Sequence, residues 1–265
     1  MLTVSELIVY PIKSLGGMAL QSATLTDRGL EHDRRWMLVD EHNHFITQRD
    51  VAAMALLQVN LLPNGLEIRH KTNSATFTIP FLLTSTETTM VQVWSSRCRA
   101  QWVSCEADGF FSEMLAKKCR LVYMAQSTKR PVDGRYAFKK ELTSFADDFP
   151  LLMIGQASLD DLNSRLAAPM LMDRFRPNIV FTGGAAFAED DLSHFTINDI
   201  SFFGVKRCAR CPIVTINQQT AKAAKEPLKT LATYRFTNNK VYFGQNLLFE
   251  GSGTIHVGDR LLAKP

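Results

Sequence analysis

Short runs of apolar or alternating residues, broken by turn signals, fill the first hundred residues and restrict the chain to a strand-rich fold. The clearest is a hairpin in which Leu57–Leu61 alternates apolar and polar residues and meets Leu66–Arg69 across Pro63-Asn64-Gly65. Strands this short and this closely spaced are typical of a barrel or a sandwich rather than of alternating strand–helix units. The remaining runs in this part of the chain lie at 4–9, 36–39, 45–47, 75–79, 90–94 and 99–103.

Two helices are predicted from apolar residues at helical spacing. The first runs from about Ala107 to Lys118, and its apolar face consists of Phe110, Phe111, Met114 and Leu115. The second runs from Ser158 to Leu166, with Ser158 as its N-cap and Asp161 in a capping-box-like position. Further strands are predicted at 151–154, 178–182, 195–203, 213–216, 241–243 and 255–262. The predicted fold class is therefore β-rich α+β, with a few helices.

A polar stretch from Gln126 to Lys140 separates the two halves of the chain. It contains the basic residues Lys129, Arg130, Arg135, Lys139 and Lys140. Loops of this length are often functional or mobile. We expect a solvated surface loop, with docking of an acidic redox partner as the alternative. We also expect two domains, residues 1–120 and residues 121–265, in a chain long enough to bury a real core.

The charge balance of the chain is mild, since 30 Lys and Arg against 26 Asp and Glu give a net charge of +4. This argues against a dedicated nucleic-acid surface but leaves room for a local anion site. The first residues do not combine a basic region with an apolar segment, as a signal peptide would. No run approaches the ~18 apolar residues of a membrane span. We expect a soluble, cytoplasmic protein that binds neither nucleic acid nor membrane.

Five cysteines, an odd number, argue against a disulfide framework. Cys98, Cys105 and Cys119 are scattered and are expected to be inert. Cys208 and Cys211 form a close pair in the stretch Lys206-Arg207-Cys208-Ala209-Arg210-Cys211-Pro212. Cations beside a thiol favour the thiolate, the form that reacts or binds soft metals.

The residues alone leave four interpretations of this pair open. A structural zinc site normally needs four N or S ligands, and here neither a second Cys pair nor a His at finger spacing is present. A thioredoxin-like pair begins a helix, whereas here the β-prone Ile213–Ile216 follows Pro212. The third interpretation is a single thiolate offered to a metal whose other ligands come from a cofactor. The fourth is a pair of buried cysteines at a strand edge.

Short motifs follow one another along nearly the whole chain: Tyr10-Pro11-Ile12-Lys13-Ser14, Asp33-Arg34-Arg35-Trp36, Ile46-Thr47-Gln48-Arg49, Ser144-Phe145-Ala146-Asp147, Ala157-Ser158-Leu159, Phe175-Arg176-Pro177-Asn178-Ile179-Val180, Cys208-Ala209-Arg210-Cys211, Glu226-Pro227-Leu228-Lys229-Thr230-Leu231, Phe243-Gly244-Gln245-Asn246-Leu247 and Gly253-Thr254-Ile255-His256-Val257-Gly258-Asp259. In this order they resemble the MOSC proteins that carry an N-terminal β-barrel domain, in particular the bacterial N-hydroxylated-compound reductases and the mitochondrial amidoxime-reducing component. The resemblance implies a MOSC β-barrel core together with an N-terminal β-barrel-like domain.

The same resemblance implies a molybdenum cofactor (molybdopterin) bound between the two halves, with Cys211 as the ligand of molybdenum and Cys208 as its neighbour. The positions that match cofactor contacts are Lys13, Ser14, Arg34, Arg176, Asn178 and Arg210. Arg forks, a Lys ammonium and a hydroxyl suit a dianionic phosphate. An Asn amide suits a pterin ring edge, because it donates and accepts hydrogen bonds together. Taken one by one, Lys13, Arg34, Arg176 and Asn178 are better explained by ion pairs and turns, and only their combination favours cofactor binding.

Asp147 matches a carboxylate near the metal, and we expect it to act with Cys211 in catalysis by orienting the substrate or relaying a proton. The sequence departs from the resemblance at Ala209, where relatives often carry Ser, a small hydrogen-bond donor. It also lacks the four-cysteine spacing of the iron–sulfur domain of some bacterial relatives. Pyridoxal phosphate binding is a further possibility at the level of the family.

We expect an oxidoreductase that reduces small N-hydroxylated compounds, with electrons from a separate ferredoxin-like or flavin-dependent protein. One alternative is a sulfur carrier that uses a persulfide on Cys211. Another is a non-catalytic module that binds or stores the cofactor. The cofactor-contact positions beside Cys211 favour the oxidoreductase, since a simple sulfur carrier would not need them.

Overall fold

The computed structural model describes residues 1–264. Its strands are β1 (Leu2–Val9), β2 (Met18–Leu20), β3 (Ser22–Thr26), β4 (Gly29–Leu30), β5 (Trp36–Val39), β6 (Leu57–Leu62), β7 (Gly65–His70), β8 (Thr76–Pro80), β9 (Thr88–Val93), β10 (Ser96–Trp102), β11 (Arg120–Tyr123), β12 (Leu151–Gly155), β13 (Ile179–Thr182), β14 (His194–Ile197), β15 (Ile200–Ala209), β16 (Phe236–Thr237), β17 (Lys240–Glu250), β18 (Gly253–His256) and β19 (Arg260–Ala263). The α-helices are α1 (Cys105–Leu115), α2 (Gln156–Ser164) and α3 (Leu228–Ala232). Short 3-10 helices occupy Ala52–Leu56, Met172–Arg174, Ala188–Asp190 and Pro212–Thr215. The predicted strand-rich fold class is confirmed.

Seven strands close into a barrel in the order β12, β13, β1, β19, β14, β15, β17 and back to β12. Closure leaves these strands without the unpaired edges that an open sheet exposes. Alternate residues such as Leu7, Phe181, Phe202 and Leu247 point inward and fill the barrel with apolar side chains. Strand β1, from the start of the chain, pairs with both β13 and β19. The barrel is therefore built from both ends of the sequence, and the division at residue 120 stays a prediction.

Most of the rest of the first half forms a sheet in the order β5-β11-β10-β9 and a meander of β6, β7 and β8, while β3 and β4 form a small sheet with β18. The predicted hairpin is confirmed, with Leu62 opposite Gly65 at its turn. The predicted first helix is also present as α1, which begins two residues earlier and ends three residues earlier than expected. Ser104 caps it by accepting a hydrogen bond from Ala107 N, and Ala116 ends it in the left-handed region.

One predicted strand, at 213–216 beside Cys211, is wrong. The β-prone run Ile213–Ile216 forms the 3-10 helix Pro212–Thr215 instead of a strand. Proline is well suited to the first turn of a helix, since its φ is already helical and it has no N–H to satisfy there. Thr215 Oγ1 also donates to the carbonyl of Pro212 at 2.7 Å. This turn follows Cys211 directly and bends the chain away at the end of β15.

The expected N-cap of the second helix is also wrong. Helix α2 begins at Gln156, and its N-cap is Gly155, which provides no side-chain cap. Ser158 lies inside the helix and is fully buried. Its hydroxyl donates to Glu189 Oε2 at 2.8 Å and accepts from Phe187 N at 2.7 Å. The Ser158 hydroxyl is therefore hydrogen-bonded to the buried Glu189 carboxylate and does not cap the helix.

Three other predicted strands are divided or absent. Residues 195–203 divide into β14 and β15 at a turn where Asn198 has a φ of +53°. Residues 255–262 divide into β18 and β19 at Gly258, with a φ of +97°. Residues 45–47 make an isolated bridge between Phe45 and Val39 and no strand. Among residues 1–264, no helix is long and apolar enough to span a membrane.

Candidate functional site

A cleft with about 820 Å³ of empty space, its open mouth included, lies beside one end of the barrel. All eight predicted site residues line it, namely Lys13, Ser14, Arg34, Asp147, Arg176, Asn178, Arg210 and Cys211. They come from the loops that follow β1 and β15 and from the segments that precede β5, β12 and β13. Of the described lining residues, five are cationic and one, Asp147, is anionic.

Cys211 lies at the end of the cleft that β15 forms. Its side chain is half-buried, and Arg49 Nη1 donates to its sulfur at 3.6 Å. A guanidinium beside the sulfur is suited to an anionic thiolate that ligates a soft metal. Cys208, three residues earlier, is also half-buried, but among residues 1–264 its sulfur contacts only the carbonyl of Ala209, at 3.9 Å, and no cation. The surroundings therefore favour Cys211 over Cys208 as a ligand.

Lys13 and Asp147 form an ion pair at the mouth of the cleft. The buried Lys13 Nζ donates to Asp147 Oδ1 at 2.6 Å and to the carbonyl of Phe145 at 2.8 Å. Burial lowers the pKa of Lys13, although Asp147 opposes the shift. Nearby protein atoms would raise the pKa of Asp147, but Lys13, the Trp94 indole N–H and Arg49 together hold it well below its usual range. Asp147 is therefore ionised at neutral pH.

Arg34 and Asn178 are tied to each other across the junction of the two halves. Arg34 Nη1 donates to Asn178 Oδ1, and Arg34 Nη2 donates to the carbonyl of Arg176, both at 3.1 Å. Asn178 is buried, and its Nδ2 donates to the carbonyl of Ile8 at 3.1 Å. The amide oxygen of Asn178 is thus already used within the protein. This geometry gives Asn178 a role in holding Arg34, and its contact with a pterin stays a prediction.

Three lining residues adopt left-handed backbone conformations that side chains other than glycine seldom adopt. The φ values are +67° at Ser14, +48° at Arg34 and +57° at Arg176. Such conformations cost free energy and concentrate at functional sites. Here they turn a hydroxyl and two guanidinium groups toward one cleft.

Two lining arginines keep hydrogen-bond donors without an acceptor among the described residues. The Nη2 atoms of Arg176 and Arg210 are both buried and unpaired. The other donors of Arg210 are used, since Nε binds the carbonyl of Phe243 at 2.8 Å and Nη1 that of Phe175 at 2.9 Å. Burial lowers the pKa of Arg176 to about 10, which leaves it charged at neutral pH. A buried unpaired donor is costly, so these atoms fit an anionic ligand such as the phosphate of molybdopterin.

The expected solvated loop between the two halves is partly wrong, because Thr128, Arg130 and Val132 are buried. Arg130 is only 5% exposed. Its Nη1 donates to the carbonyls of Ser144 and Ala146, each at 2.7 Å, and its Nη2 to that of Asp147 at 2.8 Å. A guanidinium presents several donors in a rigid fork, so it can hold successive carbonyls where a lysine could not. Arg130 therefore fixes the backbone that carries Asp147.

Three residues that contact the predicted site residues could not be identified from the sequence: Arg49, Trp94 and Arg130. Arg49 belongs to a recognised motif, yet nothing in its spacing brings it to Cys211. Trp94 contacts Asp147 through its indole N–H at 3.1 Å, from a turn 53 residues earlier in the chain. The signal that could have singled out Arg130 is its place between Lys129 and Pro131 in a loop, which is weak. Within residues 1–264, no group of three or more His, Cys, Asp or Glu side chains is arranged to hold a metal ion.

Comparison with known proteins gives two family matches that cover most of the chain. Residues 1–118 match the MOSC N-terminal beta barrel domain, and residues 140–262 match the MOSC domain. Mitochondrial amidoxime-reducing component 1 of Mus musculus is 32% identical over 287 residues, which cover 97% of this chain and 81% of that protein. The Homo sapiens protein of the same name is also 32% identical, with the same coverage. Molybdenum cofactor sulfurase of Oryza sativa subsp. japonica is 29% identical over 92% of this chain, which spans 32% of that protein.

Proposed function

The chain belongs to the MOSC family, with a MOSC N-terminal beta barrel domain ahead of its MOSC domain, and from this we propose that it is a molybdenum-cofactor oxidoreductase that reduces N-hydroxylated compounds. The observation that carries the proposal is the pairing of Cys211 with a basic cleft in which Arg176 and Arg210 keep unpaired buried donors. A thiolate suits a soft metal, and guanidinium donors without an acceptor suit an anion. One ligand that contains both a soft metal and an anionic group would satisfy the whole cleft.

We assign the cofactor contacts to Lys13, Ser14, Arg34, Arg176, Asn178 and Arg210, and the metal–sulfur bond to Cys211. The cationic members would neutralise the cofactor phosphate, and Ser14 would offer it a hydroxyl. Asn178 contributes mainly by holding Arg34 in place. When bound, the cofactor supplies a redox-active metal that can exchange the two electrons of the reaction.

Reduction of an N–OH group to N–H and water takes up two electrons and two protons. Asp147 is ionised at neutral pH because of its contacts with Lys13 and Trp94. A carboxylate in this state accepts hydrogen bonds and has no proton to give. Of the two roles expected for Asp147, orientation of the substrate is therefore favoured over direct proton donation. Burial lowers the pKa of Lys13, so its ammonium releases a proton more readily than an exposed lysine does.

The proposal includes a separate electron donor, a ferredoxin-like or flavin-dependent protein, and a cytoplasmic location. Two relatives carry the name amidoxime-reducing component, which supports an amidoxime or a related small N-hydroxy compound as substrate. The mild net charge of +4 is consistent with a small-molecule substrate rather than nucleic acid.

The direct test is turnover by molybdenum-loaded protein with an artificial reductant such as reduced methyl viologen. Hydroxylamines, amidoximes and N-hydroxylated bases are offered, and the amine, amidine or base is measured. We expect reduction that depends on Cys211 and is abolished in Cys211→Ser. Fully loaded protein that reduces none of these compounds contradicts the proposal.

Sulfur transfer is the second candidate, because the chain also resembles a molybdenum cofactor sulfurase over 92% of its length. In that case Cys211 carries a persulfide, whose terminal anion the Arg49 guanidinium beside the sulfur would stabilise. It predicts cyanide-labile sulfur on Cys211 and no bound molybdenum. A non-catalytic storage module instead predicts tight cofactor binding without turnover, unaffected by Asp147→Ala.

A further inference from the structure

Trp94 has a backbone conformation that is unusual for a large side chain. It follows β9 in the two-residue connection to β10, where Val93 pairs with Ser96, and its φ is +55°. Glycine, asparagine or aspartate normally occupies such a turn position. A bulky residue there is an outlier of the kind found at functional sites. The turn alone gives no reason for a tryptophan.

The Trp94 ring is held by three contacts although the residue is 45% exposed. Its Nε1–H donates to Asp147 Oδ1 at 3.1 Å. The Phe45 ring centroid lies 5.1 Å from its own, and the Arg49 guanidinium carbon lies 4.4 Å from the Trp94 ring centroid. An exposed indole would ordinarily be mobile, but this one is fixed next to a residue that lines the cleft.

Arg49 lies between Trp94 and Cys211. One of its nitrogens, Nη1, is 3.6 Å from the Cys211 sulfur, while the guanidinium rests on the indole. Within residues 1–264, its Nε and Nη2 have no hydrogen-bond acceptor and its guanidinium has no carboxylate partner within 4.0 Å. Arg34, Arg130 and Arg210 differ, since each has at least two donors bound to protein oxygens.

We propose that Arg49 binds the oxygen of the substrate's N–O group and that Trp94 positions its guanidinium for this. The inference rests on the proposed function and deepens it by naming the residue that recognises the oxygen. Charge-assisted bonds from a planar guanidinium suit an oxygen with two lone pairs, and a lysine cannot reproduce the fork or the stacking. As the N–O bond breaks, negative charge develops on that oxygen, and a cation already in place stabilises it.

The test compares benzamidoxime with benzamidine, which lacks the N–O oxygen and is a cation at neutral pH. Calorimetry on oxidised, molybdenum-loaded full-length protein measures both affinities for wild type and Arg49→Gln, beside metal content and thermal unfolding. We expect the benzamidoxime affinity of Arg49→Gln to fall about 10- to 100-fold, while benzamidine binds no more weakly than before. Arg69→Gln removes the same charge from an exposed side chain of β7 and is the matched control.

Trp94 is tested with Trp94→Gly, because glycine tolerates the positive φ and the turn should still form. We expect weaker benzamidoxime binding in this variant. The double variant is measured in an Asp147→Ala background, which removes the carboxylate that the Trp94 indole also contacts. There, adding Trp94→Gly to Arg49→Gln should cause little further loss, since a positioning residue acts only through the group that it positions. Equal losses that multiply in the double variant contradict the assignment of Trp94.

The outcomes separate the inference from the function on which it rests. Arg49→Gln protein that binds benzamidoxime as wild type does contradicts the inference alone. Arg49→Gln protein that loses molybdenum also contradicts it, and assigns Arg49 to cofactor retention. Metal-loaded wild-type protein that binds no amidoxime contradicts the proposed function itself, and the inference with it.

Discussion

Asp147 is held by Lys13 on one side and by Trp94 on the other, and both contacts stabilise its ionised form. We therefore expect Asp147→Asn to lower kcat/KM for an N-hydroxy substrate by up to about 100-fold, because the orienting carboxylate is lost. Molybdenum content should not change. Steady-state kinetics beside Asp148→Asn, whose carboxylate makes only a 3.9 Å contact with Lys206, provides the control. Unchanged kinetics in Asp147→Asn would contradict an orienting role for Asp147.

The same ion pair predicts how stability depends on pH. The folded-state pKa of Asp147 lies below its ordinary value of 3.8, so the pair contributes stability at every pH above that value. The contribution is lost as the pH falls through the lowered folded-state pKa. Wild type should be more stable than Asp147→Asn at pH 7, and the difference should shrink only in strongly acidic solution. Urea denaturation at several pH values measures the difference in free energy of unfolding between wild type and Asp147→Asn. A difference that changes between pH 6 and 8 would contradict this prediction.

For single residues, the residue types of the site could be predicted from the sequence, but the contacts and backbone conformations of those residues could not. Cationic residues and Cys211 were identified from their motifs, and all lie in one cleft. The positive φ of Ser14 and Arg176 has no sequence signal, because those residue types rarely adopt it. Arg130 was expected in solvent, since burial of a charge is decided by distant carbonyls that a local pattern does not contain.

The segment 144–147 is held by the side chain of Arg130. Arg130 bonds to three of its carbonyls, so Arg130→Ala leaves buried acceptors unpaired. We expect a loss of about 2–4 kcal/mol in the free energy of unfolding, with faster amide exchange in this segment. Lys129→Ala, at the exposed neighbouring residue, is the control and should change stability little. Equal stability of Arg130→Ala and wild type would contradict the clamp.

Elements with strong local signals could be predicted, and elements decided by tertiary contacts could not. The hairpin of β6 and β7 follows from alternation around Asn64-Gly65. The turn after Cys211 was predicted as a strand because Ile213–Ile216 is β-prone, but Pro212 and the Thr215 hydroxyl favour a 3-10 helix. Ser158 was assigned to a cap because the buried acceptor Glu189 is 31 residues away in sequence.

On the scale of the whole molecule, β1 lies in the barrel between β13 and β19 although it begins the chain. We therefore expect residues 121–265 alone to lack a closed barrel and to unfold or aggregate, because two strand edges are left unpaired. Co-expression with residues 1–120 should restore soluble protein. Amide NMR spectra distinguish a folded fragment from an unfolded one, and a well-dispersed spectrum of 121–265 alone would contradict this account.

The molybdenum content of the purified protein tests most directly whether Cys211 ligates molybdenum in the basic cleft. Wild type, Cys211→Ser and Cys208→Ser are purified from a host that makes the cofactor, and molybdenum is measured per chain by elemental analysis. We predict near-stoichiometric metal in wild type, most of it retained in Cys208→Ser and almost none in Cys211→Ser. Absence of molybdenum from wild type, or equal metal in wild type and Cys211→Ser, would contradict the account.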